Sequence, residues 1–281
     1  MRLVLGIDAA WTEKNPSGVA LVEEIDDGKW KLAAVFSSYG GLCQNANAEG
    51  DTIAGNVFDA SLILRACEAK AGKLPDLVAV DMPLSKIDIA GARTSDKIVT
   101  AEFAKYWCGT HAPSKVRPGE VGRHLYKGFC AQGYTHWVSS GEQEARRLPG
   151  LIEVYPHPAL LALIPLRERL EKFCDDKRLR YKVSKARKYW NDNKDAPACR
   201  QKVSEVWVHI VDALEIKIGG TGDRLGLPPS RETRLKDWKA YEDKLDAVVC
   251  AWVAIAALDG RARPFGDDNS AIWVPLPASV S

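Results

Sequence analysis

Three acidic residues stand where short buried strands are expected to end. Each belongs to an apolar run: Asp8 directly after residues 3–7, Asp81 directly after 77–80, and Glu153 within 151–155. Acidic side chains are unfavourable in strands, and a buried carboxylate is costly unless it is paired, hydrogen-bonded or bound to a metal ion. A single strand-end aspartate often only caps the next turn. Three together indicate a shared site, because α/β sheets place ligand sites at the carboxyl ends of their strands.

A second set of acids lies in the last long amphipathic segment. Asp243 and Asp246 are three residues apart, so they are neighbours on a helix surface. Asp246 borders the apolar stripe centred near Leu245, whereas Asp243 is expected further round, towards solvent. Acids near a helix N-terminus interact favourably with the helix dipole, which accounts for Asp243 and poorly for Asp246. Asp246 is therefore the helix acid that most strongly indicates a site.

The residue types indicate metal chemistry. Four or five carboxylates suit Mg²⁺ or Mn²⁺ much better than zinc, which prefers His and Cys. Two such ions can stabilise the attacking and leaving oxygens of a phosphoryl displacement. For that purpose the acids must come from separate strands and a helix and converge on one point.

The order of the elements predicts a mixed α/β sheet with helices on both faces. The amino-terminal strands at 3–7, 19–22 and 30–36 are joined by short turns, as expected of antiparallel neighbours. A helix at 53–71 then leads to a strand at 77–81, which a right-handed crossover makes parallel to an earlier strand. The remaining expected elements are a helix at 95–107, a strand at 151–155, helices from 159, at 200–217 and at 235–258, and a short edge strand at 271–274.

These elements are expected to form a single domain spanning residues 1–281. Residues 84–150 form an irregular insertion, since Gly and Pro recur there and helical signal is only local. Residues 165–220 form a second insertion that is helical and basic.

Composition excludes several classes of protein. The chain of 281 residues is 46% hydrophobic and 27% charged, which argues against disorder. No apolar run reaches the ~18–20 residues of a membrane span, and the first residues do not form a signal peptide, so a cytoplasmic location is expected. The seven cysteines contain no CxxC pair, which disfavours zinc ligation and a disulfide framework. A net charge of +2 does not by itself select a polyanionic partner.

Several segments resemble a known family. The opening GIDAAW with PSGVALVE, then VAVDMPLS, IEVYPHPALL and DKLDAVVCAWVAIAAL, resemble in that order the DUF429 family of predicted ribonuclease H-like nucleases. The resemblance spans nearly the whole chain and is weakest across 84–150. The first and last motifs are also similar to those of the Holliday junction resolvases, in which two acids three apart precede an alanine in the final helix. Here these residues are Asp243, Asp246 and Ala247.

The resemblance implies a ribonuclease H-like fold and a metal-dependent phosphodiesterase acting on nucleic acid. Its metal ligands would be Asp8, Asp81 and the Asp243/Asp246 pair, with Glu153 matching a strand acid of less defined role. One departure is Ala9-Ala10-Trp11, where the nucleases often carry a small Gly/Ser-rich turn.

Other residues are candidates for substrate binding. Trp11 could stack on a base or simply pack on the sheet edge. His157 could orient water near the metal or only hydrogen-bond the backbone. The basic run 177–188 could bind a phosphate backbone through Lys182, Lys185 and Arg187, or it could form a solvated helix face. A second basic stretch that could bind the backbone contains Lys115, Arg117, Arg123 and Lys127.

Two other functions stay open. One is a non-catalytic module that binds nucleic acid or protein on the same fold. The other is an actin-like ATP phosphotransferase, because a GIDxG-like opening also begins such enzymes; against it, no DxGxT-like phosphate loop follows. A homodimer would suit the resolvase-like interpretation, although no apolar exposed helix requires it.

Overall fold

The computed structural model describes residues 1–44, 58–139, 146–190 and 195–276. Within these ranges eight strands form one mixed sheet, in the order β3-β2-β1-β4-β6-β8-β7 with β5 beside the start of β6. The strands are β1 (Leu3–Asp8), β2 (Gly18–Asp26), β3 (Lys29–Phe36), β4 (Leu77–Val80), β5 (Thr135–His136), β6 (Gly150–Val154), β7 (Ala262–Gly266) and β8 (Ala271–Pro275).

The helices lie between and after these strands. They are α1 (Tyr39–Gln44), α2 (Ala60–Ala71), α3 (Thr94–Phe103), α4 (Glu120–Ala131), α5 (Pro156–Leu163), α6 (Leu166–Phe173), α7 (Ala186–Tyr189), α8 (Ala196–Glu215), α9 (Thr221–Leu225) and α10 (Leu235–Leu258). No helix in the described ranges is both long enough and apolar enough to cross a membrane.

Helices cover both faces of the sheet, as expected for this α/β fold. One core joins the sheet to α5, α8 and α10, with Trp207 and Trp238 among its buried side chains. The other joins the opposite face to α2 and α4, with Ile63 and Phe129 buried there. The antiparallel β1–β2–β3 meander and the parallel pairs β1–β4, β4–β6 and β6–β8 are consistent with a ribonuclease H-like arrangement.

Two glycines let α10 lie directly on the sheet. A Cβ atom on Gly6 of β1 would be 2.1 Å from the carbonyl oxygen of Ala247, and one on Gly18 of β2 would be 1.9 Å from that of Asp243. Both distances are far below van der Waals contact, so only glycine allows this approach. The acidic turn of α10 is thereby fixed against the end of β1.

The structure corrects several of the elements expected from the sequence, and α4 (Glu120–Ala131) forms inside the segment expected to be irregular. The strand expected at the sheet edge, β8, is internal, because β7 pairs with its outer side. β7 was missed, since its sequence ARPFG contains Arg and Pro and does not alternate like a strand. The helix expected at 53–71 begins at Ala60 in the structure, and residues 53–57 of that prediction lie outside the described residues. The basic run 177–188 is not one helix face: only a 3₁₀ turn (Val183–Lys185) and the four-residue α7 form there.

Candidate functional site

Parallel pairing of β1 and β4 brings Asp8 and Asp81 together. Ile7 is in register with Val80, and the Asp81 N–H donates to the Ile7 carbonyl at 2.8 Å. Side chains alternate along a strand, so Asp8 lies on the same face as Gly6, and Asp81 on the same face as Ala79. In both strands this is the face of the sheet that α10 covers. The two carboxylates therefore meet at the carboxyl edge of the sheet, as the sequence predicts.

Helix α10 adds its acids to the same place. Asp246 is fully buried, and Asp243 is only 4% exposed, so the expectation that Asp243 faces solvent was wrong. Asp243 is buried because the close contact at Gly18 packs β2 against the backbone of Asp243. The carboxyl groups of Asp8 and Asp243 lie within hydrogen-bonding reach of each other.

Two lysines pair with the acids of α10. Lys182 contacts Asp246 directly and lies 3.7 Å from Glu242. Lys239, one turn before the acids on α10, donates to Asp243 at 2.5 Å and to Glu242 at 2.8 Å. Two neutral donors complete the shell, since the Tyr181 hydroxyl donates to Asp246 at 2.9 Å and the Val183 N–H donates to Glu242 at 2.6 Å.

The pKa values show where negative charge is poorly compensated. Burial, together with the charge of Asp243, raises the pKa of Asp8 to about 7. Burial and the charge of Asp8 hold the pKa of Asp81 well above its ordinary value. Burial also raises the pKa of Asp246 to about 6, although Lys182 opposes the shift. For Glu242 burial acts in the same direction, but Lys182 and Lys239 outweigh it, so its pKa is lowered.

The types of these side chains, though not their present arrangement, are those that bind a hard divalent cation. Five carboxylates share two lysines, and neither Asp8 nor Asp81 forms an ion pair with any described residue. All the donors are carboxylate oxygens, the ligands that Mg²⁺ and Mn²⁺ prefer. In the described ranges no group of three or more His, Cys, Asp or Glu side chains is arranged so that it could hold a metal ion. One of the carboxylates, that of Asp246, is in contact with Lys182.

Asp8, Asp81, Glu242 and Asp243 line a cleft of about 710 Å³ together with basic and aromatic side chains, whereas the buried Asp246 does not line it. Trp11 lines it, with the guanidinium of Arg117 5.7 Å from the centre of its ring. Lys182 and Lys185 also face the cleft, whereas Arg187 is exposed on α7 and does not line it. The structure therefore brings two of the three predicted basic residues to the acids.

His157 reaches the cleft wall but has little freedom there. It is packed between the rings of Tyr155 and Tyr181, and its Nε2 lies 3.4 Å from a guanidinium nitrogen of Arg178. Burial, reinforced by Lys182 and Arg178, holds the pKa of His157 well below its ordinary value. The ring is therefore neutral, and its Nδ1 has no hydrogen-bond partner within the described residues.

Glu153 lines the same cleft as Asp8 and Asp81 but is paired with a cation of its own, Arg93. It pairs in register with Val80 on β4, and strand alternation directs it to the face opposite Asp81. Its carboxylate accepts 2.5 and 2.7 Å hydrogen bonds from Arg93 and a 2.8 Å bond from the Leu84 N–H. Arg93 also donates to Asp96 and to the Leu84 carbonyl. Glu153 thus fixes the loop that follows Asp81.

Three residues of the site were missed by sequence reasoning. Lys239 and Glu242 could have been recognised from the sequence, because their spacing from Asp243 and Asp246 places all four residues on one side of α10. Arg93 gave none, since its partner Glu153 is 60 residues away in the sequence.

Comparison with known proteins identifies a family for this arrangement. Residues 135–271 match the model of DUF429, described as a protein family of unknown function. The matched segment contains Glu153, Lys182, Asp243 and Asp246, while Asp8 and Asp81 lie outside it. No curated protein and no solved structure matches the chain. The match over residues 135–271, just under half of the chain, supports the DUF429 family.

Proposed function

We propose that the chain is a metal-dependent nuclease that hydrolyses phosphodiester bonds in nucleic acid. The observation that carries this proposal is that Asp8, Asp81 and Asp243, from two strands and a helix, line one cleft, and that neither strand acid has an ion-pair partner among the described residues. Asp246 interacts electrostatically with Asp8 and Asp81 but is fully buried and does not line the cleft. Burying three such acids is costly, and the fold keeps them together. A bound divalent cation would offset that cost and would explain why the acids are clustered.

Asp8, Asp81 and Asp246 would hold Mg²⁺ or Mn²⁺, with Asp243 completing the set through its contact with Asp8. The ion would supply Lewis-acid stabilisation of a phosphodiester oxygen and lower the pKa of a water molecule. Lys182 competes for Asp246, so its ammonium must leave this carboxylate for the ion to use it fully. Glu153 is bound by Arg93 and acts on the site through the loop after Asp81.

The rim residues suit a phosphodiester. Arg117 and Lys185 are cations at the cleft mouth, where they would attract phosphate oxygens. Trp11, partly covered by Arg117, offers an aromatic face on which a base can stack. If the neutral His157 accepts from Arg178 at Nε2, its buried and unpartnered Nδ1 carries the proton and can only donate. A homodimer and a cytoplasmic location stay expectations of this proposal.

The experiment is Mn²⁺-dependent cleavage of labelled DNA and RNA oligonucleotides by Asp8→Asn. The variant keeps the size of the side chain and removes one ligand charge, so we expect cleavage to fall by at least ~100-fold while the circular dichroism spectrum stays unchanged. The matched control is Asp26→Asn, because Asp26 is exposed in the β2–β3 hairpin and pairs only with Lys29 across the turn. Full activity of Asp8→Asn would refute the metal-site assignment.

One observation favours a second candidate, a non-catalytic binding module. Lys182 and Lys239 already pair with three of the acids, so the cluster could be a structural ion-pair network. Thermal unfolding separates the two functions, because a ligand that binds only the folded state raises its melting temperature. The nuclease predicts stabilisation by Mn²⁺ that is lost in Asp8→Asn. The binding module predicts no such stabilisation in either protein.

A further inference from the structure

A second, smaller groove lies beside the acidic cleft. Its volume is about 330 Å³, and it shares Pro83 and Ser114 with the cleft. Its walls come from the loop after β4 and from the amino-terminal half of α4. The two concavities are therefore neighbours separated by a single narrow ridge of chain.

The groove is basic. Lys86, Lys115 and Lys127 line it, are exposed, and form no ion pair with any described residue. Arg123 is the fourth cation, and it is shared with Asp88 at 3.0 Å and with Glu120 at 3.9 Å. The groove is therefore lined by four cations and two acids. The positive charge that no acid neutralises lies on the three lysines. Cations that are exposed and unpaired around one concavity are free to bind an anion.

The ridge between the two concavities is a fixed turn. The Ser114 N–H donates to the Arg117 carbonyl at 2.7 Å, and the Arg117 N–H donates back to the Ser114 carbonyl at 3.2 Å. Gly119 follows with φ +56°, and a Cβ there would lie 3.1 Å from the backbone of Val116. At the tip Val116 is 87% exposed, with Lys115 directed to the groove and Arg117 to the cleft.

We propose that this groove binds the phosphate backbone of a single-stranded nucleic acid that crosses the ridge from the acidic cleft. The proposal rests on the nuclease function and specifies its substrate. Cations on both sides of the ridge would contact successive phosphates, and the apolar tip at Val116 would touch sugar or base. Both concavities have volumes typical of small-molecule sites, which favours the unpaired nucleotides of a single strand over a duplex.

The test replaces the three lysines together, as Lys86→Ala/Lys115→Ala/Lys127→Ala. Binding of a fluorescein-labelled single-stranded oligonucleotide is measured by anisotropy over a series of salt concentrations in EDTA. Each lost phosphate contact lowers the slope of log K against log salt by about 0.7 for a single strand, so we expect a decrease of about 2 and at least ~tenfold weaker binding at low salt. The matched control is Lys31→Ala/Lys217→Ala/Lys236→Ala, which removes the same charge from exposed lysines outside both concavities.

Equal losses in the two triple variants would overturn the proposal, because net charge alone would then explain them. Absence of binding to the wild-type protein, or tighter binding of a duplex than of a single strand, would overturn it as well. EDTA removes divalent ions, so the result reports the groove whether or not the acidic site cleaves. A protein with lysine-dependent binding but no Mn²⁺-dependent cleavage would contradict the nuclease function alone.

Discussion

Substituting Gly6 with alanine tests whether the contact between β1 and α10 assembles the acidic site. The new Cβ would lie 2.1 Å from the Ala247 carbonyl oxygen and 2.5 Å from the Ala251 nitrogen. Both are backbone atoms within a helix, so no side-chain rotation relieves the overlap. Ordinary contact begins at 3.4 Å, which requires α10 to move by more than ~1 Å away from β1.

Such overpacking typically costs ~1–3 kcal/mol, and a clash with helix backbone places Gly6→Ala at the upper end, about 3 kcal/mol. In urea unfolding followed by tryptophan fluorescence, this cost lowers the midpoint by about 1 M or more. Asp8 lies two residues after Gly6, and Asp243 and Asp246 lie on α10, so the shift also separates the acids. We therefore expect stabilisation by Mn²⁺ to weaken in the same variant.

Gly91→Ala is the matched control, because a Cβ at Gly91 meets nothing within 4 Å and its φ is not in the left-handed region. It should unfold at the wild-type midpoint. If Gly6→Ala were as stable as Gly91→Ala and responded equally to Mn²⁺, the glycine contact would not be what positions the site.

Two further predictions concern ion pairs that involve neither Lys182 nor Lys239. Arg2 donates to Glu24 at 2.6 Å and holds the pKa of Glu24 at about 2, so this stabilisation is complete above the unfolded pKa of about 4.5 and is lost as the pH falls through 2. Because Arg2 is partly exposed, Glu24→Gln should lower the free energy of unfolding by only about 1–2 kcal/mol at pH 7, and by nearly nothing near pH 2; an equal loss at both pH values would contradict this. Arg93→Met leaves Glu153 and Asp96 buried without their cation, and should cost ~3–5 kcal/mol in urea unfolding at pH 7. A loss below ~1 kcal/mol would show that the pair is not maintained.

The meeting of Asp8 and Asp81 could be predicted because it depends only on local pattern. Both acids end apolar runs, and the intervening helix makes the two strands parallel, so their carboxyl ends share one edge. Helix α10 could be predicted to the residue for the same reason, since its apolar stripe is long and regular.

The placement of Glu153 could not be predicted, because the sequence does not show which face of β6 it occupies. All five residues of that strand are buried, so no alternation of apolar and polar residues marks the two sides. The pairing of Lys182 with Asp246 was equally hidden, since 64 residues separate them and a basic run usually forms a solvated surface. The burial of Asp243 depends on Gly18 in another element.

The central claim is that Asp8, Asp81 and Asp246 hold a divalent ion, and anomalous diffraction from a crystal soaked in Mn²⁺ tests it most directly. The account predicts a strong anomalous peak between these three carboxylates, with Lys182 withdrawn from Asp246. A crystal that takes up no Mn²⁺ at millimolar concentration, in which Lys182 still contacts Asp246, would contradict the claim.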